Sequence, residues 1–267
     1  MNATDDTLAG AGLLILEIGN SHASVATAVA ERIYTNQRFG LDQVAEVVAA
    51  GVESWAALPG DRTRAIVAAG VVPSALKTIR DTLSAELSQP IMVVGEELHR
   101  PLSLALESPM SVGIDRVCSA AAAYDTLEHA CVVASFGTAI TIDCVNDEGV
   151  FMGGAILPGV NMQARSLHEG TAQLPQVAIK SPSGVYGGST DDAIRSGVIF
   201  GIAGGLREIV ERYATELGAW PELIATGGQA ELIHEQSNII DRVVPDLCIR
   251  GIALAFRKHF SPLEAME

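Results

Sequence analysis

LLILEIGNSHASVATAV, from Leu13 to Val29, and CVVASFGTAITIDCV, from Cys131 to Val145, are two versions of one pattern. Each is an apolar run that ends in a polar residue, a glycine and a small hydroxyl or amide residue, then begins a second β-rich run. Glu17, Gly19 and Asn20 correspond to Ser135, Gly137 and Thr138, each pair 118 positions apart. Solenoid repeats recur at about 20–50 residues, so this longer spacing points to two related domains. A strand, a glycine-bearing turn and a second strand form a backbone clamp whose N–H groups can cradle phosphate. Two such clamps facing each other would hold a nucleotide between two domains.

The chain has 267 residues, 48% of them apolar, which suits two domains with sizeable cores. Asp and Glu number 32 against 17 Lys and Arg, for a formal charge of −15. That excess argues against a general nucleic-acid surface, which needs clustered positive charge. It does not oppose nucleotide binding, because backbone amides and a bound cation neutralise phosphates locally. Cys118, Cys131, Cys144 and Cys248 form no CxxC and match no zinc spacing. The opening MNATDDTLAGAG is unlike a secretory signal, and no apolar stretch approaches the roughly 18–20 residues that span a bilayer. A reduced, cytoplasmic protein without a membrane partner is expected.

Strand signals fall at about 13–19, 22–29 and 31–39, and a helical pattern starts at Leu41. A buried strand at 65–72 leads to Pro73, which opens a helix. Another strand at 91–95 and an irregular connection at 98–112 precede a helix that begins near Asp115. The second half repeats the order: strands at about 130–136, 139–145 and 150–157, then a helix from Pro158 through the TAQL stretch. Thr190 is expected to cap a long helix, with Asp191 and Asp192 at its positive end. A strand ending in ATGG, a short helix and a final helix complete the chain. The reading is an α/β fold with mixed sheets.

EIGNS, VGIDR, FGTAITID, GGAILPGV, TAQLP and ATGGQAELI occur in that order. The ordered set, from about Leu13 to Phe256, resembles the type III pantothenate kinases of the acetate and sugar kinase/Hsp70/actin superfamily. The resemblance implies duplicated ribonuclease H-like domains, here 12–128 and 129–260, with ATP and Mg²⁺ between them. It implies ATP-dependent phosphorylation of pantothenate to 4′-phosphopantothenate, the first step of coenzyme A synthesis, by a homodimer. The family's first phosphate loop falls on Glu17, Ile18, Gly19, Asn20, Ser21, His22, Ala23 and Ser24. Its substrate-binding Gly-x-Asp-Arg falls on Gly113, Ile114, Asp115 and Arg116, with Asp115 as general base. The threonine of its second phosphate loop falls on Thr138, and a substrate-contacting threonine falls on Thr190. Gly227 and Gly228 resemble the superfamily's nucleoside-contacting turn.

Those residue types suit the chemistry. Phosphoryl transfer needs positioning and charge neutralisation more than covalent help. A carboxylate beside the acceptor hydroxyl takes its proton as the new bond to phosphorus forms. Amides at the helix start are expected to keep Asp115 ionised, and Arg116 has the fork to grip a substrate carboxylate. The alanine-rich helix after Asp115 is the expected dimer contact.

The chain departs from the family pattern at four places. The first loop opens with Glu17 where the family has aspartate, which moves the carboxylate outward by a methylene. The second opens with Ser135 where the family has an aspartate that binds an activating monovalent cation, K⁺ or NH₄⁺. A hydroxyl brings no charge, so a weakened or absent cation site is expected, with Asp143 as a partial substitute or a structural residue. Leu106 stands near the place of a family tyrosine, and Ser189-Thr190 stands for Asn-Thr. These departures leave two other readings open: a kinase for another small hydroxyl compound, or a homologue without kinase activity that binds ligands or regulates.

Overall fold

The computed structural model describes residues 10–260. The chain falls into two compact units: the chain up to Ser103 with Ser108–Ala122 and the chain from Leu247 onward, and Leu104–Glu107 with Ala123–Asp246.

In the first unit, β1 (Gly12–Ile18), β2 (His22–Val29) and β3 (Arg32–Gly40) form an antiparallel meander. The helix α1 (Val44–Ala57) leads to β4 (Arg64–Gly70), and α2 (Pro73–Leu87) leads to β5 (Ile91–Val93). β4 pairs parallel with β1 and β5 parallel with β4, giving the order β3-β2-β1-β4-β5. β1 is central, which explains its unbroken apolar run: Leu13, Leu14, Ile15 and Leu16 are all buried. Leu14, Leu16, Ile18, Val25 and Ile66 form a core with Ile79 and Leu83 of α2. After the short strand β6 (Ser103–Leu104) comes α3 (Ile114–Leu127).

In the second unit, β7 (Cys131–Phe136), β8 (Ala139–Val145) and β9 (Val150–Pro158) form another meander. They are followed by α4 (Val160–Glu169), α5 (Thr190–Leu217), β10 (Glu222–Thr226), α6 (Ala230–His234) and β11 (Arg242–Val243). The sheet order is β11-β10-β7-β8-β9-β6. Read from its other edge it repeats the first sheet, with β10 parallel to β7 and β11 parallel to β10. The final helix α7 (Leu247–Phe260) packs on β1 and β4 of the first unit.

Several sequence expectations change here. α4 stops at Glu169 with Gly170 as its C-cap, so the TAQL stretch is not helical. The cap of α5 is Ser189, whose Oγ accepts the Asp192 N–H at 3.2 Å, and Thr190 is the first helical residue. The run before α7 is not helical: Arg242 and Val243 pair as a strand, and the helix begins at Leu247. The alanine face of α3 is not a free contact surface, because Ala120, Ala121, Ala122 and Ala123 are buried within the chain.

Candidate active site

In the first unit the loop after β1 closes tightly, with the Gly19 N–H donating to the His22 carbonyl at 2.9 Å. Asn20, Ser21 and His22 are exposed, while Ala23 and Ser24 enter the sheet and are buried. His22 Nδ1 accepts from Arg38 Nη2 at 3.1 Å. Burial and the Arg38 charge hold the His22 imidazole below its ordinary pKa.

Glu17 is the penultimate residue of β1, in register with Ser24 on β2 and Ala69 on β4. The residue is half-buried. Burial pushes its pKa up, against hydrogen bonds from the Ser24 hydroxyl and the Cys248 thiol, and the nearby Asp115 charge pushes it further. Cys248 stands on the first turn of α7, far along the chain, and no local signal in the sequence ties it to this loop.

Asp115 lies on the first turn of α3, beside the C-terminal ends of β1 and β4. The Val71 N–H, just past β4, donates to the Ile18 carbonyl at 2.9 Å, and Gly113 faces Val71. Ends of parallel strands are where open α/β sheets bind ligands. The Asp115 Oδ1 accepts the Arg116 N–H at 2.9 Å. A methyl group on Gly113 would stand 2.5 Å from that oxygen, so only glycine leaves the carboxyl in place. The Arg116 amide and charge favour the ionised Asp115, as a helix start should, but burial outweighs them and the pKa rises above its ordinary value. Behind Asp115, α3 and α7 cross closely. A methyl on Gly251 would be 1.9 Å from the Cys118 carbonyl oxygen. The Cys118 thiol is fully buried and pushed up by burial, then by Asp115 and Glu17, while Arg100 opposes the shift.

In the second unit, Ser135 is the penultimate residue of β7, with Thr141 of β8 and Thr226 of β10 as its register partners. Three neutral hydroxyl residues therefore lie side by side across the sheet. Asp143, in register with Val133, sits farther along β8 and is buried. A methyl on Gly154 would lie 2.5 Å from its Oδ1, so Asp143 is packed against the β9 backbone.

The turn after β7 is held from two sides. The Gly137 N–H donates to the Ala139 carbonyl at 3.1 Å, and the Gly159 N–H donates to the Thr138 carbonyl at 3.1 Å. A methyl on Gly159 would come within 2.3 Å of the Thr138 oxygen and 2.4 Å of the Gly137 oxygen. Gly227, at φ 94°, docks the ATGG turn onto the end of β7, where a methyl would meet the Phe136 oxygen at 2.6 Å. The Gln229 N–H donates to that same oxygen at 3.2 Å. Thr138, Gly227 and Gly228 are thus drawn to one strand end, with Gly159 as a supporting residue that the sequence motif contains but did not single out. Gly228 is exposed, and Thr190 is exposed on the first turn of α5.

A family model described as type III pantothenate kinase matches residues 13–212. A type III pantothenate kinase of Dehalococcoides mccartyi is 32% identical over 253 residues, covering 92% of this chain and 98% of that protein. One from Rhodospirillum rubrum is 40% identical over 196 residues, covering 73% of this chain and 76% of its own. Among solved structures, a Baf-family protein of Campylobacter jejuni superposes with a TM-score of 0.58 at 21% identity, covering 92% and 98% of the two chains. The Lmo2764 protein of Listeria monocytogenes gives 0.51 at 12% identity, covering 92% and 99%. Both share the fold. With the repeated sheet order, it is the duplicated ribonuclease H-like fold of the acetate and sugar kinase/Hsp70/actin superfamily.

Proposed function

We propose that this chain, which belongs to the type III pantothenate kinase family, transfers the γ-phosphoryl group of ATP to the 4′-hydroxyl of pantothenate. The products are ADP and 4′-phosphopantothenate, and the reaction opens coenzyme A synthesis. The observation that carries the mechanism is the half-buried Asp115 carboxyl, oriented by the Arg116 amide over a glycine that leaves it room. A carboxyl whose pKa is raised is a stronger base when ionised. Asp115 takes the hydroxyl proton while the oxygen bonds to phosphorus and the bond to ADP breaks.

Gly113, Ile114 and Arg116 complete the acceptor side in this reading, with Thr190 as a further contact. Residues 17–24 and Thr138 hold the phosphates by backbone amides and hydroxyls, and Gly227 and Gly228 border the nucleoside. The glycine-only packing of Gly159 and Gly227 against carbonyl oxygens at the second loop suits a backbone cradle of that kind.

Among the described residues, no cluster of three or more His, Cys, Asp or Glu side chains can hold a metal ion alone. Mg²⁺ is commonly bound by one or two carboxylates together with substrate phosphates, so a single carboxyl at the loop would suffice once ionised. Glu17 is the carboxyl at the first loop, and the cation would neutralise charge on the phosphates. Ser135 offers a hydroxyl without charge to a monovalent cation, so we propose little dependence on K⁺ or NH₄⁺.

We further propose a homodimer, a cytoplasmic location and domains at 12–128 and 129–260. The four free thiols suit a reducing compartment. No helix among the described residues is long and apolar enough to cross a membrane. One observation favours a second reading, a ligand-binding homologue without turnover: the Glu17 carboxyl is already engaged by Ser24 and Cys248. Incubation with Mg·ATP and pantothenate, followed by mass spectrometry, separates the two. Phosphopantothenate forming with ADP supports the kinase, whereas bound nucleotide without product supports the second reading.

A further inference from the structure

Arg100 lies in the first unit, outside every motif that marks the loops. Its Nη1 is buried and has no hydrogen-bond partner. The backbone around it is pinned. The Gly95 N–H donates to the Leu98 carbonyl at 2.7 Å, the His99 N–H to the His259 ring at 3.4 Å, and Lys258 Nζ to the Pro101 carbonyl at 3.4 Å. Arg100 is therefore set by the ends of β5 and α7.

It also lies beside the first turn of α3. A methyl on Gly95 would touch both Arg100 Nε and Ile114 Cδ1, each at 3.9 Å, and Ile114 precedes Asp115. Its charge reaches Cys118, as do those of Asp115 and Glu17. Among the described residues neither acid is hydrogen-bonded to Nη1. Asp115 Oδ1 is taken by the Arg116 amide and Glu17 by Ser24 and Cys248, and burial raises the pKa of both carboxyls. Arg116 already has other interaction partners. A guanidinium nitrogen withdrawn from water without a partner is costly. The same nitrogen is a preorganised donor for an anion that arrives later. Arg100 as a whole is only half-buried, so part of its side chain is open to solvent while Nη1 itself is covered.

We propose that Arg100 binds the anionic group of the acceptor, a carboxylate, through its unpartnered Nη1, and so selects acidic acceptors. The acceptor's identity rests on the kinase reading, whereas the presence of an anion site does not. Arg100→Met keeps the stem and removes the charge. Turnover is measured with pantothenate and with its alcohol analogue pantothenol, which keeps the reacting hydroxyl and lacks the carboxylate. Loss of a charge-assisted hydrogen bond raises KM for pantothenate by about 10–100-fold. KM for pantothenol is expected to stay the same, with partial rescue for pantothenate in Arg100→Lys. Equal losses on both substrates, or none on either, overturn the proposal.

Thermal unfolding supplies a readout that does not need turnover. Ligand-free Arg100→Met is expected to be at least as stable as the parent, and sodium pantothenate should stabilise the parent but not the variant. A less stable ligand-free variant would mark a structural arginine and overturn the proposal. Stabilisation through Arg100 by sodium phosphate alone would overturn the carboxylate assignment. If the parent protein phosphorylates neither substrate yet is stabilised by pantothenate through Arg100, the kinase reading fails and the anion site stands.

Discussion

The strand order β3-β2-β1-β4-β5 is rebuilt as β9-β8-β7-β10-β11, with the same parallel and antiparallel pairings. The two glycine turns at the ends of β1 and β7 nevertheless carry different chemistry. At the first, two carboxyls, Glu17 and Asp115, lie near the buried Cys118 and the half-buried Cys248, and burial raises the pKa of both acids. At the second, Ser135 stands between two threonines, and backbone glycines do the holding. In the proposed reading one topology divides the work: titratable groups in one half, a neutral backbone cradle in the other. Duplication preserves what the sheet requires, the apolar central strand and the glycine turn, and leaves the flanking polar residue free to differ.

If the second half is a backbone cradle, its most sensitive point is Gly159. Gly159→Ala drives a methyl against two carbonyl oxygens that cannot swing away. Overpacking of this kind costs about 1–3 kcal/mol, and the loop must shift to relieve it. A rise of at least about tenfold in KM for ATP is expected, the scale of about 1.4 kcal/mol, with a lowered Tm by calorimetry. An unchanged KM for ATP would separate this turn from the nucleotide.

The first half is sharpened by Glu17→Gln. Burial raises the Glu17 pKa above its ordinary 4.5, so the folded protein keeps this proton to higher pH than the unfolded chain. The stability contributed by neutral Glu17 is full below the unfolded value and is lost as pH rises through the folded one. Glutamine cannot ionise and keeps an acceptor for Ser24 and Cys248. Ligand-free Glu17→Gln should therefore gain Tm relative to the parent as pH rises above 4.5, by about 2–4 °C for each kcal/mol relieved. A difference that stays constant as pH rises would place the Glu17 carboxylate in water.

The smallest effect is expected at Ser135. A neutral hydroxyl contributes far less than a carboxylate to holding a buried cation. Exchanging Na⁺ for K⁺ or NH₄⁺ at matched ionic strength should change turnover by less than about twofold, and Ser135→Asp should introduce cation dependence. Strong K⁺ activation of the parent would place the cation on other groups and erase the contrast between the two loops.

Much of this was legible in the chain. The apolar runs from Leu13 and Cys131 read as central strands because both faces are covered, and the glycine turns follow from their residues. Asp115 at a helix start was legible too. Its raised pKa was not, because amides at a helix start are local whereas burial comes from distant parts of the chain. Cys248 and Arg100 escaped for the same reason: α7 reaches Glu17 only through tertiary packing. Ser189 and Thr190 are both competent caps. The extended backbone of Ser189, φ −135° and ψ 166°, decides between them, and the sequence does not encode that entry angle visibly.

The division between the halves is tested most directly by coupled ADP-release rates with Mg·ATP and pantothenate for Asp115→Asn beside Ser135→Ala. Asp115→Asn removes the proton acceptor while keeping size and one oxygen, and should lose about 10²–10⁴-fold in kcat. Ser135→Ala removes only a neutral hydroxyl and should retain turnover within about tenfold of the parent. An Asp115→Asn enzyme that keeps most of the parent's rate, or a Ser135→Ala enzyme that fails as badly as Asp115→Asn, would contradict the assignment of the chemistry to the first half.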